Sequence, residues 1–315
     1  MANESTPVPR NFLTTSTSVS WCRTRARQKK IPSSDMRDDV RPRRAGRAAS
    51  RPGRSRLARG ARLGQHFLIH AWPARFLAHA VRPSERETIV EIGPGKGILT
   101  RELLARGPVI AIEKDEVLCA RLRETFAGGI ASGRLTLIEG DVRDFDSATI
   151  GGDYVLAANI PYYITGEIIR QFLTAEHQPL KMALLIQKEV AQRITSEKES
   201  LLSLSVKAYG TPRIVEKVSR MHFSPPPSVD SAILFVGDIS RRFFEHLDEH
   251  AFFELLRVGF ASKRKMLAGN LSSLYVKEQL ASAFGAAGIH EKARAENVSL
   301  EQWKSLYQLL RSSQH

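Results

Sequence analysis

Four short apolar runs each stop abruptly at a polar or glycine residue, and the order of those stops constrains the fold more than any other feature of the chain. Thr88-Ile89-Val90-Glu91-Ile92 stops at Gly93-Pro94-Gly95-Lys96-Gly97, and Pro108-Val109-Ile110-Ala111-Ile112 stops at Glu113. Leu135-Thr136-Leu137-Ile138-Glu139 passes through Gly140 to Asp141, and Tyr154-Val155-Leu156-Ala157-Ala158 stops at Asn159-Ile160-Pro161-Tyr162. Runs this short and rich in branched residues predict buried strands. The helix-like Ile98–Ala105 follows the first, and Cys119 falls in an expected helix after the second. This alternation, which continues through Gln187, predicts an α/β fold with a parallel sheet covered on both faces. Open sheets of that kind bind ligands at the carboxyl ends of their strands, where all four stops fall.

Each stop suits a different chemical task. The glycines let the backbone turn tightly and approach a ligand, and the helix behind them offers free N–H groups to a carboxylate or phosphate. Their spacing is G-x-G-x-G rather than the G-x-G-x-x-G of dinucleotide sites, which disfavours a nicotinamide enzyme. Glu113 beside the loop can accept both hydroxyls of a ribose, and Asp141 can accept from an adenine amino group. The Asn159 amide oxygen and a carbonyl held outward by Pro161 can accept from an exocyclic NH2, while Tyr162 offers a stacking face. Singly, each acid also reads as a solvated loop charge, and the Asn159 tetrapeptide as a strand ending in a proline turn. Their common order at successive strand ends favours a site.

Beyond Gln187 the pattern predicts helices at Lys188–Ile194 and Leu201–Ala208, then β segments at Arg213–Val218 and Ser231–Val236 that pair as an antiparallel edge. Asp238-Ile239-Ser240 marks an expected boundary between a domain over residues 63–237 and a small helical domain over 238–315. In the latter, Phe252, Phe253, Leu255 and Leu256 recur at helical spacing and are expected in its core. Lys263-Arg264-Lys265 stands beside the apolar Met266-Leu267-Ala268 and reads as part of a basic helix.

The chain has 315 residues, 42% of them hydrophobic, enough for about two domains with a sizeable core. Its net charge of +14 is uneven: residues 1–62 carry 16 Lys or Arg against 4 Asp or Glu, while the rest is nearly balanced at 31 against 29. This Arg-, Ser-, Pro- and Gly-rich stretch is read as a disordered basic tail. It fits an RNA-binding arm, a transit peptide, or an upstream extension with Met36 as an internal start. Cys22 and Cys119 make no plausible disulfide framework, consistent with a reducing cytoplasm. The absence of C-x-x-C, H-E-x-x-H and clustered His gives a metal site no support, and no run approaches the ~20 apolar residues of a membrane span.

With these motifs in place, the chain resembles the S-adenosylmethionine-dependent ribosomal RNA adenine N6-dimethyltransferases, the kasugamycin-sensitivity group, with the macrolide-resistance Erm methyltransferases as relatives. The likeness runs from about Leu63 to the carboxyl terminus. Leu63-Gly64-Gln65-His66-Phe67-Leu68 looks like the family's opening G-Q-N-F-L, Glu91–Gly97 like its cofactor loop, and Asn159–Tyr162 like its N-[LI]-P-[YF]. Gln187-Lys188-Glu189-Val190 resembles its Q-K-E-V segment, and Phe223–Ala232 its F-[ST]-P-P-P-x-V-D-S-A. The chain departs from the family at His66 and at Tyr163, where Asn is usual or common.

The resemblance implies a Rossmann-like methyltransferase sheet with helices on both faces and a carboxyl-terminal helical domain. It implies that Gln65 and His66, with Phe67 and Leu68, lie at the methionine end of S-adenosylmethionine, with Gly93 and Gly95 against its amino-acid moiety. Glu113 would hold the ribose and Asp141 the cofactor's adenine, with Lys114, Val142 and Asn159 also among the cofactor-binding residues. Asn159 and the Ile160–Pro161 backbone would hold the target N6, with Tyr162 on one face of the base and Phe223 on the other. Lys263, Arg264 and Lys265 would meet RNA phosphates. The implied reaction is N6,N6-dimethylation of two adjacent adenines in the 3′-terminal hairpin loop of small-subunit ribosomal RNA. The implied setting is a pre-30S particle in the cytoplasm, with the enzyme a monomer. An Erm-type large-subunit enzyme and a non-catalytic nucleic-acid-binding factor of the same fold are the alternatives.

Overall fold

A computed structural model describes residues 65–312. The expected basic tail, Met36, Cys22, Leu63 and Gly64 lie outside the described residues. The chain begins with a two-residue strand β1 (Phe67–Leu68), helix α1 (Ala71–Val81), β2 (Thr88–Ile92), α2 (Ile98–Leu104), β3 (Val109–Glu113), α3 (Glu116–Thr125) and α4 (Ala127–Ala131). It continues through β4 (Leu135–Glu139), β5 (Tyr154–Asn159), α5 (Thr165–Thr174), β6 (Lys181–Gln187), α6 (Lys188–Thr195) and α7 (Leu201–Lys207). Then come β7 (Thr211–Val218), β8 (Phe223–Ser224), β9 (Ser231–Gly237), α8 (Glu249–Gly259), α9 (Leu267–Leu271), α10 (Lys277–Ala286) and α11 (Leu300–Ser312).

Seven strands form one sheet in the order β4-β3-β2-β5-β6-β9-β7. The first five are parallel, and β9 and β7 add the antiparallel edge that the sequence pattern predicts. Pro212 sits on the outermost strand, where a missing N–H costs no ladder bond to a further strand. Alternation along the strands divides the core. Ile89, Val109, Val155, Ala157, Leu185 and Ile233 pack with Leu77, Val81 and Leu103 on one face. Val90, Leu156, Leu184 and Leu234 pack on the other, with Ile168 and Phe172 of α5. Burial on both faces explains why these strands read as unbroken apolar runs.

The second core is continuous with the carboxyl-terminal helices, since Phe252, Leu256, Trp303, Leu306 and Leu310 belong to the same buried cluster as that sheet face. Polar links cross the same junction. Tyr209 Oη donates to Glu249 at 2.6 Å, and Arg241, paired with Glu249, donates to the Thr174 carbonyl at 2.8 Å. Gly259 lets α8 press against Trp303: a Cβ there would lie 2.3 Å from the indole.

Candidate active site

The carboxyl ends of β2, β3, β4 and β5 lie along one edge, with Ile92 opposite both Ile112 and Ala158, and Glu113 opposite Glu139. Strand β2 has its sequence successor β3 on one side and the much later β5 on the other. Open α/β sheets bind ligands in the crevice that forms at such a reversal, here between the ends of β2 and β5.

The glycine loop forms its floor. Gly93 has φ +64°, and no atom lies within 4 Å of the position a Cβ would take, so the space above it is open to a ligand. Gly95, at φ +58°, is covered by Phe67, whose ring would lie 3.0 Å from a Cβ. Its N–H donates to Glu113 at 3.0 Å. The other oxygen of Glu113 accepts from the Lys114 and Asp115 backbone N–H groups at 2.9 and 3.0 Å, so this carboxyl ties the end of β3 to the loop. Below the loop, Glu91 is fully buried on β2. Burial pushes its carboxyl up to about 8, with the Thr100 hydroxyl opposing and Glu113 reinforcing the shift. Cys119 is buried, and its thiol is pushed up to about 11 by burial with help from Glu113.

Asp141, beyond β4, carries more partners than its sequence neighbourhood suggests. Arg143 approaches it with its side chain and with its backbone N–H at 3.0 Å, and Lys114 Nζ with a 2.8 Å ion pair. The Arg143 side chain first, and Lys114 with it, hold the Asp141 carboxyl well below the usual carboxylate range. Val142 is buried next to it, and its carbonyl accepts from Gln171 at 2.7 Å.

Asn159 closes β5. Its Nδ2 donates to the His66 carbonyl at 3.2 Å, which fixes the amide's orientation and leaves Oδ1 as an acceptor. Pro161 has φ −56°, and its carbonyl accepts from the Ile164 N–H at 3.1 Å, so the backbone acceptor next to Asn159 is the Ile160 carbonyl. Tyr162 is half-buried, anchored by a 2.7 Å hydrogen bond with Ser231 Oγ, and its ring lies 5.7 Å from that of His66. Burial raises the phenol's pKa, with Ser231 opposing. Tyr163 is 71% exposed.

A small antiparallel ladder borders this group, with Phe67 opposite Ser224 and Leu68 opposite Phe223. His66 Nδ1 donates to the Pro225 carbonyl at 2.8 Å. The Gln65 amide oxygen is buried with no hydrogen-bond partner among the described residues, as a side chain awaiting a polar ligand would be. The open cradle at Gly93 and this orphaned oxygen fit a polar cofactor laid across the glycine loop.

Phe223, expected on the second face of a base, is 1% exposed, lies opposite Leu68 in the β1–β8 ladder and belongs to the same buried cluster as Leu68 and Leu77. Lys263, Arg264 and Lys265 are exposed as expected but do not lie on a helix. They occupy the turn between α8 and α9, pinned by Asn270 Nδ2, which donates to the Ser262 carbonyl at 3.2 Å. Gly259 and the interposed Met266 end one helix and cap the next, so the cations fall in the gap. Sequence reasoning missed Arg143 and Ser231 as anchors. Arg143's position two residues from Asp141 was a signal; nothing local links Ser231 to Tyr162. Among the described residues there is no group of three or more His, Cys, Asp or Glu placed to hold a metal, and no helix long and apolar enough to cross a membrane.

Fold and site together define a Rossmann-like methyltransferase. Residues 58–312 match the ribosomal RNA adenine dimethylase family, and the chain belongs to it. It is 40% identical over 252 residues to a Ribosomal RNA small subunit methyltransferase A of Dehalococcoides mccartyi, covering 78% of this chain and 86% of that one. It is 37% identical to the protein of the same name from Moorella thermoacetica, covering 78% and 91%. Among solved structures, the 23S rRNA methyltransferase ErmE superposes with a TM-score of 0.65 at 26% identity, over 78% of this chain and 99% of that one. A dimethyladenosine transferase from Plasmodium falciparum, at 23% identity and TM-score 0.67, shares the fold over 79% of this chain and 98% of that one.

Proposed function

We propose that the crevice binds S-adenosylmethionine and that Asn159 presents N6 of adenine for two successive methylations, at adjacent adenines in the 3′-terminal hairpin loop of small-subunit ribosomal RNA. The observation that carries this reading is the orientation of the Asn159 amide, held by the His66 carbonyl so that Oδ1 accepts. When bound, S-adenosylmethionine supplies an electrophilic sulfonium methyl. Gln65, with its orphaned oxygen, and His66, Phe67 and Leu68 serve the methionine end, and Gly93 and Gly95 give the backbone clearance. Glu113 serves the ribose, and Asp141 with Lys114 and Val142 the cofactor's adenine. Asp141 keeps an acceptor site for that amino group if the exposed Lys114 swings away.

The N6 lone pair of adenine is delocalised into the ring. Accepting from its two hydrogens at Asn159 Oδ1 and the Ile160 carbonyl, beside Pro161, favours tetrahedral geometry and frees the lone pair; the methyl would pass to N6 as the sulfonium becomes a neutral thioether, and N6 would then release one proton to solvent. Catalysis is then positioning and electrostatics, with no strong base required. A neutral amide also suits the second transfer, since a monomethylated amine still has one hydrogen to give. Tyr162, its hydroxyl tied to Ser231, offers its ring to the base; Phe223 would join it only if the β1–β8 ladder opened. The target adenine must leave its stack to reach Asn159, which suits a loop. The partner in this reading is a pre-30S particle, met by a monomer in the cytoplasm, with Lys263, Arg264 and Lys265 neutralising phosphates.

The likeness to ErmE supports large-subunit RNA as the second reading. Labelled-methyl transfer to isolated small and large subunits separates the two. Small-subunit label alone is expected; label on the large subunit alone overturns the assignment. Asn159→Ala should lower transfer by about 100-fold or more while cofactor affinity stays within a few-fold. Equal loss of both would place Asn159 in cofactor binding only.

A further inference from the structure

A second group of aromatic side chains adjoins the site without belonging to it. Where β1 runs into α1, Trp72 stands edge-on to Phe76 at 5.8 Å and to His222 at 5.0 Å, and His70 stands edge-on to His222 at 5.2 Å. Trp72 Nε1 donates to His222 Nδ1 at 3.4 Å, so the proton of that imidazole sits on Nε2, where it can donate. The Ile69 N–H donates to the His222 carbonyl at 3.0 Å, extending the β1–β8 ladder. Trp72 packs at the margin of the sheet core, but its neighbours stay open to solvent: Phe76 is 44%, Ile69 46% and Met221 65% exposed. A patch of rings and thioether on open surface marks an interaction site.

Charge selects the partner. No Asp or Glu occurs from Gln65 to Arg82 or from Val218 to Val229, and these two segments carry Arg75, Arg82 and Arg220. An aromatic surface on two segments without acids, Asp230 being the neighbouring one that accepts from the Arg220 N–H at 3.1 Å, suits a polyanion that presents planar groups, which describes single-stranded RNA. The patch is also continuous with the adenine site. His66, near Tyr162, lies three residues before Ile69, and Pro225, which holds His66, lies three residues after His222. Three extended residues span roughly 10 Å, the reach of neighbouring nucleotides.

We propose that His70, Trp72, Phe76, Met221 and His222 form a stacking platform for unpaired bases flanking the target adenine, with His222 Nε2 available to a base edge. This rests on the reading of the crevice as an RNA methyltransferase site. Trp303 is fully buried, and in a Trp21→Phe background Trp72 becomes the reporter. Titration with a synthetic hairpin RNA carrying the 3′-terminal small-subunit loop should quench the intrinsic fluorescence, and Trp72→Phe should abolish most of that quench while retaining affinity. His222→Ala should raise Kd and KM for the hairpin about tenfold, given the usual worth of one stacked base, and Met221→Ala should raise them several-fold, with kcat and cofactor affinity unchanged in both and the thermal midpoint unchanged in Met221→Ala. Met221 is exposed enough that its truncation tests binding rather than folding. Methyl transfer by the wild type with no change in these variants and no quench overturns the platform alone. Quenching by a wild type that transfers no methyl supports the platform and overturns the reaction. A wild-type dimer that His222→Ala dissociates, with RNA affinity intact, overturns it in favour of a second copy of this chain.

Discussion

At the residue scale, the site turns on side chains whose surroundings fix what they can offer. Asn159 spends its donor on the His66 carbonyl, so what its amide has left to offer is an acceptor. Glu91 shows the opposite case, a carboxyl with no solvent access whose pKa lies near 8 because burial disfavours its charge. A folded-state pKa raised above the ordinary 4.5 means that the folded chain holds the proton longer than the unfolded chain does. The stabilisation is therefore complete below about pH 4.5, declines as pH rises and is lost by about pH 8, a total on the order of a few kcal/mol. Glu91→Gln, which cannot ionise, should flatten that decline, so that its stability relative to the wild type is higher at pH 8 than at pH 5. Urea denaturation at both pH values measures it, and an unchanged slope would show that Glu91 does not govern the pH response. Local spacing made Glu91 legible as a strand residue, but its isolation depends on α2 closing over it.

At the element scale, the strand, loop and helix from β2 to α2 hold one glycine crowded by its neighbours and one with open space above it. Gly97 has φ +79°, and a Cβ there would lie 2.4 Å from the Phe126 ring, so Gly97→Ala should cost roughly 3 kcal/mol of stability. Gly93→Ala meets no neighbour and should cost only about 1 kcal/mol from its positive φ, yet lose S-adenosylmethionine affinity. Denaturant midpoints beside cofactor titrations distinguish the two; comparable destabilisation with equal affinity would refute this division. Strands β2 to β5 and helices α2, α6, α7 and α8 were legible because each carries an apolar run or periodicity of the right length, which the two-residue β1 and β8 do not. The basic turn was not, because Lys263–Lys265 continue a helix-compatible composition, and only the packing of Asn270 against the Ser262 carbonyl bends the chain out of helix there.

At the scale of the whole molecule, one core runs from the sheet into α8 and α11, so the exposed cations at 263–265 are carried on a fixed part of the structure. Charge reversal Arg264→Glu should weaken binding to small-subunit RNA, and more at low salt than at high salt, because phosphate neutralisation releases counterions. Filter binding across a salt series reads the slope. A loss independent of salt would point to altered folding instead.

The sequence by itself determined the strand ends, and with them the edge on which Gly93, Glu113, Asp141 and Asn159 meet, because parallel strands buried on both faces must be apolar throughout and change character where they emerge. It could not determine what those residues bond to. The Tyr162–Ser231 bond spans 69 positions and the His66–Pro225 bond 159. Only the β1–β8 ladder decided that Phe223 turns inward and that Trp72 and His222 come together beside the site. Local pattern records burial and periodicity, whereas such partnerships arise when distant segments close on one another, and no local pattern encodes that closure.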